Sequence, residues 1–422
     1  MRAERGRRGF GWAVALAALV QLALFAWATG PGLAGTSDSA FYLHAAGTLR
    51  TSGVLLNPDG SAYRFWPPLY PALLAGCGAS GSLAGIRLLH GACLVGSLVV
   101  WSWLGRRLLP GRRALVLPAL LALSTPWLLV GKFVWAEAVF LLLFAAYAAA
   151  LLQWLNSGGG AWWWAASAAG FLLPLQRTLG LFLLAGVGAG LVLGAWQRLP
   201  PRRRGLLALH LALSAAGGVL WQGYALLLAG PSRYHPGRGW GQLVSSGADF
   251  GFVLGRWLLP LPTAGRGLLP QGLWLGVLPG LFWLLWPRGA GRRLGAAHSA
   301  STALPAANTF FAYLLLRPLW SAALTLVALV VALTVFAQSA AGIHDAERYA
   351  SVLFAPVILL ALAAWPARGP RWLGWAAGAA WLLSAALRAG HVARDLHGLR
   401  PLAPTSGAGP APHGQRVGAA GE

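Results

Sequence analysis

Residues 36–71, TSDSAFYLHAAGTLRTSGVLLNPDGSAYRFWPPLYP, form the longest polar interval near the start of a chain that is otherwise largely apolar. The interval begins with an acid, Asp38, and three apolar residues that share one helix face follow it: Phe41, Ala45 and Leu49. Gly53 ends this helical pattern, and the aromatic, proline-rich run at 66–71 leads back into apolar sequence. We therefore expect a short amphipathic helix at a bilayer surface, with Asp38 at its head.

The composition is that of a polytopic membrane protein. Of the 422 residues, 57% are hydrophobic and only 10% are charged, and the mean hydropathy is +0.63. The net charge of +23 does not indicate nucleic-acid binding, because the basic residues lie mostly in short blocks between apolar segments. The two cysteines lie in apolar sequence without a CxxC pattern, so neither a disulfide framework nor a zinc site is indicated.

The positive-inside rule places the basic blocks on the cytoplasmic side. On this basis we predict an all-α membrane bundle of about 11 spans, alternatively about 12 or 13, with amphipathic helices in the first outer loop. Residues 10–29 form an uncleaved first span with a cytoplasmic N-terminus, because the run is longer than the apolar core of a signal peptide. We expect residues 67–80 to be re-entrant or interfacial rather than a separate crossing, and we favour an interfacial helix over a further span for residues 301–318.

We divide the chain into a transmembrane domain at 1–388 and a Gly-, Pro- and Ala-rich tail at 389–422, which we expect to be disordered. The domain includes two outer loops, at 30–82 and 230–267. Seven carboxylates then face outward: Asp38, Asp59, Glu137, Asp249, Asp345, Glu347 and Asp395. The cost of a carboxylate in hydrocarbon explains why these acids lie in loops, but not why they avoid the inner loops. Acids gathered at one surface indicate a site there.

This outer surface carries the groups that sugar transfer from a lipid phosphate requires. Such a reaction needs a carboxylate that takes the acceptor's proton and cations that stabilise the departing phosphate. Asp38 is the candidate base, with a helix N-cap as the alternative role. Three basic residues at the outer boundary are candidate phosphate ligands: Lys132, Arg177 and Arg348. Arg177 has an alternative role as an arginine that extends to the interface, and Arg348 as a local ion-pair partner of Asp345 and Glu347.

Other residues near these groups are candidates for acceptor binding. Glu137 would bind the acceptor or support the catalytic group, unless it only stabilises the first turn of a helix. Trp66 and Trp135 are possible sugar platforms among tryptophans that mostly form interfacial belts.

Several motifs along the chain resemble those of the polytopic GT-C glycosyltransferases. They are Asp38-Ser39-x-x-Tyr42-x-x-x-Ala46, Gly53, WPPLYP at 66–71, IRLL at 86–89, Ala136-Glu137, Arg177-x-x-Gly180 and Glu347-Arg348-Tyr349. Within that class they are most similar to bacterial members of the protein mannosyltransferase and aminoarabinose transferase-like group, which is glycosyltransferase family 39-like. The resemblance covers about residues 10–365.

The resemblance implies a bundle of spans with helices on the outer membrane face and a polyprenyl-phosphate sugar as donor. It makes the first-loop acid, Asp38, the catalytic residue, and it adds Tyr42 to the acceptor side and Tyr349 to the phosphate side. Many members of the class have paired acids in this loop, whereas Ser37 and Ser39 flank a lone Asp38 here. This difference argues against a divalent metal site.

We therefore predict a glycosyltransferase, inverting at the anomeric carbon, that acts at the extracytoplasmic face of a bacterial inner (plasma) membrane. Its partners would be membrane lipids, the lipid-linked donor and a lipid, glycan or protein acceptor with a hydroxyl group. One alternative is a glycan polymerase or ligase, which performs the same class of chemistry on larger acceptors, and the main alternative is a transporter or flippase of a lipid-linked saccharide. Transporters usually place polar groups near the midplane and show repeated halves, and neither feature is apparent in the sequence.

Overall fold

Helices make up nearly all of the described structure. The computed structural model describes residues 2–78, 83–109, 113–227, 240–259, 270–285, 316–326, 343–365 and 371–402. In these ranges the only β-pairing is two isolated bridges. In chain order the helices are α1 Arg2–Ala28, α2 Ser37–Ser52, α3 Leu69–Gly76, α4 Ala84–Leu108, α5 Arg113–Ala122, α6 Thr125–Lys132, α7 Glu137–Ser157, α8 Gly160–Gln176, α9 Leu179–Ala195, α10 Pro201–Leu227, α11 Trp240–Leu258, α12 Gln271–Leu285, α13 316–326, α14 Ile343–Ala350, α15 Phe354–Ala364 and α16 Arg371–His397.

Six stretches among the described residues are long and apolar enough to cross a membrane. They are Gly9–Ala28, Ala84–Leu108, Arg113–Lys132, Glu137–Ser157, Pro201–Leu227 and Ala346–Ala364. The predicted fold class, an all-α polytopic membrane bundle, is confirmed. The predicted segment 301–318 lies outside the described residues except for its last three positions, and so do parts of the second outer loop.

The segment at 67–80, which we expected not to be a separate crossing, contains α3, a helix of only eight residues. At about 1.5 Å per residue it is too short to cross the hydrocarbon. The apolar stretch Arg113–Lys132 consists of two helices, because the chain turns between Ala122 and Thr125. Ser124 begins α6 as its N-cap, with its hydroxyl accepting a hydrogen bond from the Trp127 N–H at 3.3 Å.

The last helix corrects the predicted boundary of the domain. We expected a disordered tail from Ala389, but α16 continues to His397. Its extra turns bury residues at helical spacing, Ala389, Ala393 and Leu396, and α16 packs along α1. The prediction was wrong because it rested on the Gly- and Ala-rich composition and overlooked an apolar helix face with period 3.6. Residues 403–422 lie outside the description.

A second, smaller core lies at the end of the bundle where α2 and α7 begin, which we call the head of the bundle, and it positions the first loop. It buries Tyr42 of α2 and Tyr70 of α3 against Ile86 of α4 and Val134. The Tyr42 and Tyr70 rings meet edge to face with their centroids 5.0 Å apart, a favoured aromatic geometry. Burying such a side chain stabilises by about 1.5–3 kcal/mol, so α2 and α3 are held as a rigid platform.

A short backbone pairing fixes the start of α2 beside the start of α7. Ala34 and Phe133 form a parallel bridge, in which the Ala34 N–H donates to the Lys132 carbonyl at 2.9 Å. Two residues further along each segment, the Trp135 indole N–H donates to the Thr36 hydroxyl at 2.9 Å. The two segments are about 100 residues apart in sequence, yet this pairing sets the first turns of α2 and α7 side by side.

Candidate active site

Asp38 lies in the first turn of α2, but it is not the cap. The N-cap is Thr36, whose N–H donates to the Ser39 hydroxyl at 3.0 Å. The Asp38 carboxylate instead accepts a hydrogen bond from Nη2 of Arg348 at 2.8 Å. Its side chain is 25% exposed, so it is the accessible member of the cluster described below. The N-cap interpretation of Asp38 is therefore wrong.

Arg348 joins the first loop to the late part of the chain. It lies in α14 and is buried, and its Nε donates to Oε1 of Glu137 while Nη2 binds Asp38. Its guanidinium carbon stands 4.1 Å from the centroid of the Trp135 ring, a cation–π contact that is worth more in a desolvated site than at a surface. Arg348 thus bridges two carboxylates that are 99 positions apart in sequence.

Glu137 is the anchor of the cluster. It opens α7 and is only 1% exposed. A single oxygen, Oε1, meets the guanidinium groups of both Arg348 and Arg177. Burying a lone carboxylate would be prohibitive, but two cations compensate it. Within the described residues Oε2 accepts no hydrogen bond.

Arg177 reaches Glu137 because of how α8 ends. The side-chain amide of Gln176 donates to the Ala136 carbonyl at 2.9 Å, which ties the end of α8 to the residue before Glu137. A Cβ at Gly180 would lie 2.6 Å from the backbone of Leu173 and Pro174, so only glycine lets α9 start this close to α8. Burial lowers the pKa of the Arg177 guanidinium, the Glu137 carboxylate raises it, and the net shift is upward. Arg177 therefore stays charged.

Two tyrosines border the four charges. The Tyr349 ring centroid is 5.7 Å from the guanidinium carbons of both Arg177 and Arg348. Tyr42 is buried, and burial together with the neighbouring Asp38 and Glu137 carboxylates outweighs the two arginines and raises the pKa of its phenol. Tyr42 therefore stays a neutral hydroxyl at any physiological pH.

Lys132 does not enter this cluster. It is fully buried, and its ammonium donates to the carbonyls of Ala28 and Gly32, each at 2.9 Å. These carbonyls belong to the end of α1 and the turn after it, where helical partners are missing. The expected role of Lys132 as a phosphate ligand is thus corrected to a structural role.

The two candidate sugar platforms differ in what surrounds them. Trp135 is buried, with Phe133 stacked on its ring at 4.3 Å and the Arg348 guanidinium over it. Two groups this close to one ring must occupy its two faces, so the interpretation of Trp135 as a platform is wrong. Trp66 is only partly buried and packs against Phe41 and Tyr42 of α2.

Sequence reasoning missed the partners of Glu347. Its carboxylate accepts a hydrogen bond from the Thr125 hydroxyl at 2.9 Å and pairs with Arg256 of α11. The expected alternative of a local pair between Glu347 and Arg348 is wrong, because Glu347 binds Thr125 and Arg256 whereas Arg348 binds Asp38 and Glu137. No signal in the sequence distinguishes Arg256, which lies in α11, from the other arginines of the segment predicted as the second outer loop.

The carboxylates of the cluster are already matched by cations. Among the described residues no group of three or more His, Cys, Asp or Glu is placed to hold a metal ion. Asp38 and Glu137 share Arg348, so guanidinium groups supply positive charge at this site. This arrangement suits binding of an anion next to a carboxylate that can accept a proton.

No protein-family model matches the chain, and no curated protein matches it. Among solved structures, the crystal structure of ArnT from Cupriavidus metallidurans bound to undecaprenyl phosphate is similar. It is 16% identical with a TM-score of 0.56, over 92% of this chain and 76% of that chain. The apo state of the same ArnT is 15% identical with a TM-score of 0.47, over 84% of this chain and 77% of that chain. The predicted resemblance to the aminoarabinose transferase-like group is confirmed at the level of the fold, and this chain has the polytopic helical fold of ArnT.

Proposed function

We propose that this chain is a membrane glycosyltransferase that transfers a sugar from a polyprenyl-phosphate carrier to an acceptor hydroxyl. The observation that carries the proposal is the cluster of Asp38, Glu137, Arg177 and Arg348 at the head of the bundle. It combines a partly exposed carboxylate with two desolvated guanidinium groups. The ArnT structure with the same fold holds undecaprenyl phosphate, which supports a lipid phosphate as the carrier.

Arg348 and Arg177 would bind the donor phosphate. Guanidinium groups suit phosphate because they present several N–H donors in a fixed plane. Glu137 holds both groups from one side, and the Tyr349 ring lies near both, so their positions are set before the donor arrives. Positive charge fixed in a desolvated site stabilises the negative charge that develops on the leaving phosphate.

Asp38 would act as the general base. The acceptor oxygen attacks the anomeric carbon from the face opposite the phosphate, and its proton passes to Asp38. The bond between the anomeric carbon and the phosphate oxygen breaks, and its electron pair leaves with polyprenyl phosphate, which inverts the anomeric centre. When the donor phosphate competes for Arg348, Asp38 loses a cationic neighbour and becomes a stronger proton acceptor.

The geometry of α7 supports an extracytoplasmic site. Glu137 begins this 21-residue helix, so its other end lies about 30 Å away. At that far end Arg107 donates to Gln153 at 3.3 Å, and Arg203 donates to the Leu155 carbonyl at 3.4 Å. Basic residues at one end favour a cytoplasmic location for that end. The acid-bearing head would then face outward, where lipid, glycan or protein hydroxyls serve as acceptors.

The test is cleavage of the donor by purified protein in lipid nanodiscs. A panel of undecaprenyl-phosphate sugars is supplied with membrane glycolipid acceptors, and release of undecaprenyl phosphate is measured by mass spectrometry. We expect release with at least one donor, and release slowed by roughly 100-fold or more with Asp38→Asn protein of equal yield and thermal stability. A flippase would move labelled donor across proteoliposomes without cleaving it, and that result would reject the proposal.

A further inference from the structure

The short helix α14 directs two consecutive charged side chains to two different places. Arg348 binds Asp38 and Glu137, whereas Glu347 binds Thr125 and Arg256. Successive residues on a helix point about 100° apart. The Glu347 contacts therefore determine the rotation of α14 about its axis, and that rotation aims Arg348.

Such an external reference matters because the described part of α14 has only eight residues, and the 3-10 turn Ser351–Leu353 separates it from α15. Helices of this length are not stable on their own, and their orientation comes from the surrounding contacts. The following turn is fixed as well, since the Ser351 hydroxyl donates to the Arg348 carbonyl at 2.6 Å and the Trp127 indole donates to the Ser351 carbonyl at 3.2 Å. These bonds hold the chain after Arg348, and the contacts of Glu347 hold the chain before it.

Arg256 is a firm partner because its own helix is anchored. The next residue, Trp257, is buried and contacts the Phe354 ring edge to face at 5.1 Å. The Trp257 carbonyl accepts a hydrogen bond from the Trp381 indole at 2.7 Å. Arg256 is therefore held at a fixed distance from α15 and α16, and it transmits that position to Glu347.

A buried ion pair is not an efficient source of stability, because apolar residues of similar volume often serve equally well. Its best attested use is to fix register or orientation. The Arg256–Glu347 pair buries a carboxylate next to a site whose cation must be aimed accurately. We therefore assign the Arg256–Glu347 pair a role in orienting Arg348 and not in adding stability.

We propose that Arg256 and Glu347 form a positioning pair that aims the Arg348 guanidinium at the donor phosphate. The inference rests on the proposed function, since it assigns Arg348 to that phosphate. Neither Arg256 nor Glu347 touches the substrate. Their effect on catalysis passes entirely through Arg348.

The experiment measures undecaprenyl phosphate affinity and thermal stability for purified Arg256→Gln and Glu347→Gln proteins. We expect each change to weaken affinity by roughly tenfold, because a small displacement of a positioned group is costly, and Arg256→Lys to recover part of the loss. Arg113→Gln is the matched control, since Arg113 also fastens the last part of the chain through the Leu362 carbonyl at 3.4 Å. The control should lower thermal stability without changing affinity.

A double variant separates positioning from general support. In Arg348→Gln protein, Arg256→Gln should cause no further loss of affinity although it still lowers thermal stability. Additive losses of affinity would overturn the inference. If Arg256→Gln does not fold, Glu347→Gln, which keeps an oxygen for Thr125, takes its place in the same cycle.

The proposed function fails in a distinguishable way. If Arg348→Gln alone leaves undecaprenyl phosphate affinity unchanged, both the phosphate assignment and the positioning pair are overturned. If Arg348→Gln weakens affinity but Arg256→Gln and Glu347→Gln do not, only the positioning pair is overturned.

Discussion

Two buried basic sites at the head of this bundle differ in what binds their cations. Lys132 donates to two backbone carbonyls, whereas Arg348 donates to two carboxylates, one of them on the partly exposed Asp38. Backbone carbonyls cannot move away without unfolding the chain, but a carboxylate side chain can yield its place to another anion. A buried cation is therefore available for ligand binding only when its partners are exchangeable.

The largest expected effect on activity comes from the site of Arg348 and its carboxylate partners. Asp38→Asn should slow sugar transfer by roughly 100-fold or more, because an amide cannot accept the acceptor's proton. The start of α2 should be unaffected, since Thr36 and Ser39 cap the helix. The measurement is the turnover of purified protein with matched thermal stability.

Ser39→Ala is the control for this variant. It removes the hydrogen bond at the helix start and should lower stability by about 1 kcal/mol while turnover stays normal. Near-normal turnover in Asp38→Asn would instead direct attention to Glu137.

The next effect concerns the phosphate partner. Arg348→Gln should raise the apparent donor requirement and slow turnover by roughly 10- to 100-fold, as expected for loss of a charged hydrogen-bond donor worth about 1.5–3 kcal/mol. Arg348→Lys should rescue only partly, because an ammonium cannot bind phosphate with two parallel bonds. Steady-state kinetics with varied donor would show both changes, and unchanged kinetics would make Arg348 a structural residue.

At Lys132, whose partners are backbone carbonyls, we expect a loss of stability without a loss of turnover. Lys132→Met leaves the carbonyls of Ala28 and Gly32 buried without their donor, which should cost about 1–3 kcal/mol of stability. Turnover per folded molecule should stay near normal. Thermal unfolding in detergent, together with activity corrected for the folded fraction, measures the two quantities separately. A stable Lys132→Met protein with weak donor binding would show that Lys132, like Arg348, binds the donor.

The smallest effect on activity is expected from variants that only report sidedness. In a background of Cys77→Ser, a cysteine at the exposed Val54 should react with a membrane-impermeant thiol reagent added outside, and a cysteine at the exposed Arg202 should not. Both proteins should transfer sugar normally. If Arg202→Cys alone were labelled from outside, the predicted orientation in the membrane would be reversed, and Lys132 and Arg348 would lie on the cytoplasmic side.

The sequence was sufficient for the fold class and for the approach of Asp38 and Arg348. Apolar runs and basic blocks determine which residues lie at the same end of a bundle, so residues 310 positions apart could be placed together. The roles of Lys132 and Trp135 could not be predicted. Each depends on which carbonyl or ring lies beside the side chain, and that is decided by tertiary packing between distant segments.

The extent of the last helix was missed for a related reason. Ala and Gly are equally compatible with a disordered tail and with close helix packing, and only the partner distinguishes them. Around Ala393 that partner is α1, which the composition of the tail does not reveal. The pairing of Arg256 with Glu347 was beyond prediction in the same way.

The contact between the two ends of the described chain has a consequence for biosynthesis. His397 donates to the Trp27 carbonyl at 2.7 Å across 370 positions, and the Leu402 N–H donates to the Leu33 carbonyl at 2.8 Å. Gly35 has no room for a Cβ because the Leu402 side chain lies against it. The segment that leads to Asp38 is thus fastened by residues that the ribosome makes about 370 positions later. Until α16 and the residues after it have been made, a nascent chain carries its acidic loop without this fastening, so the candidate site is completed only after that late segment has packed against α1.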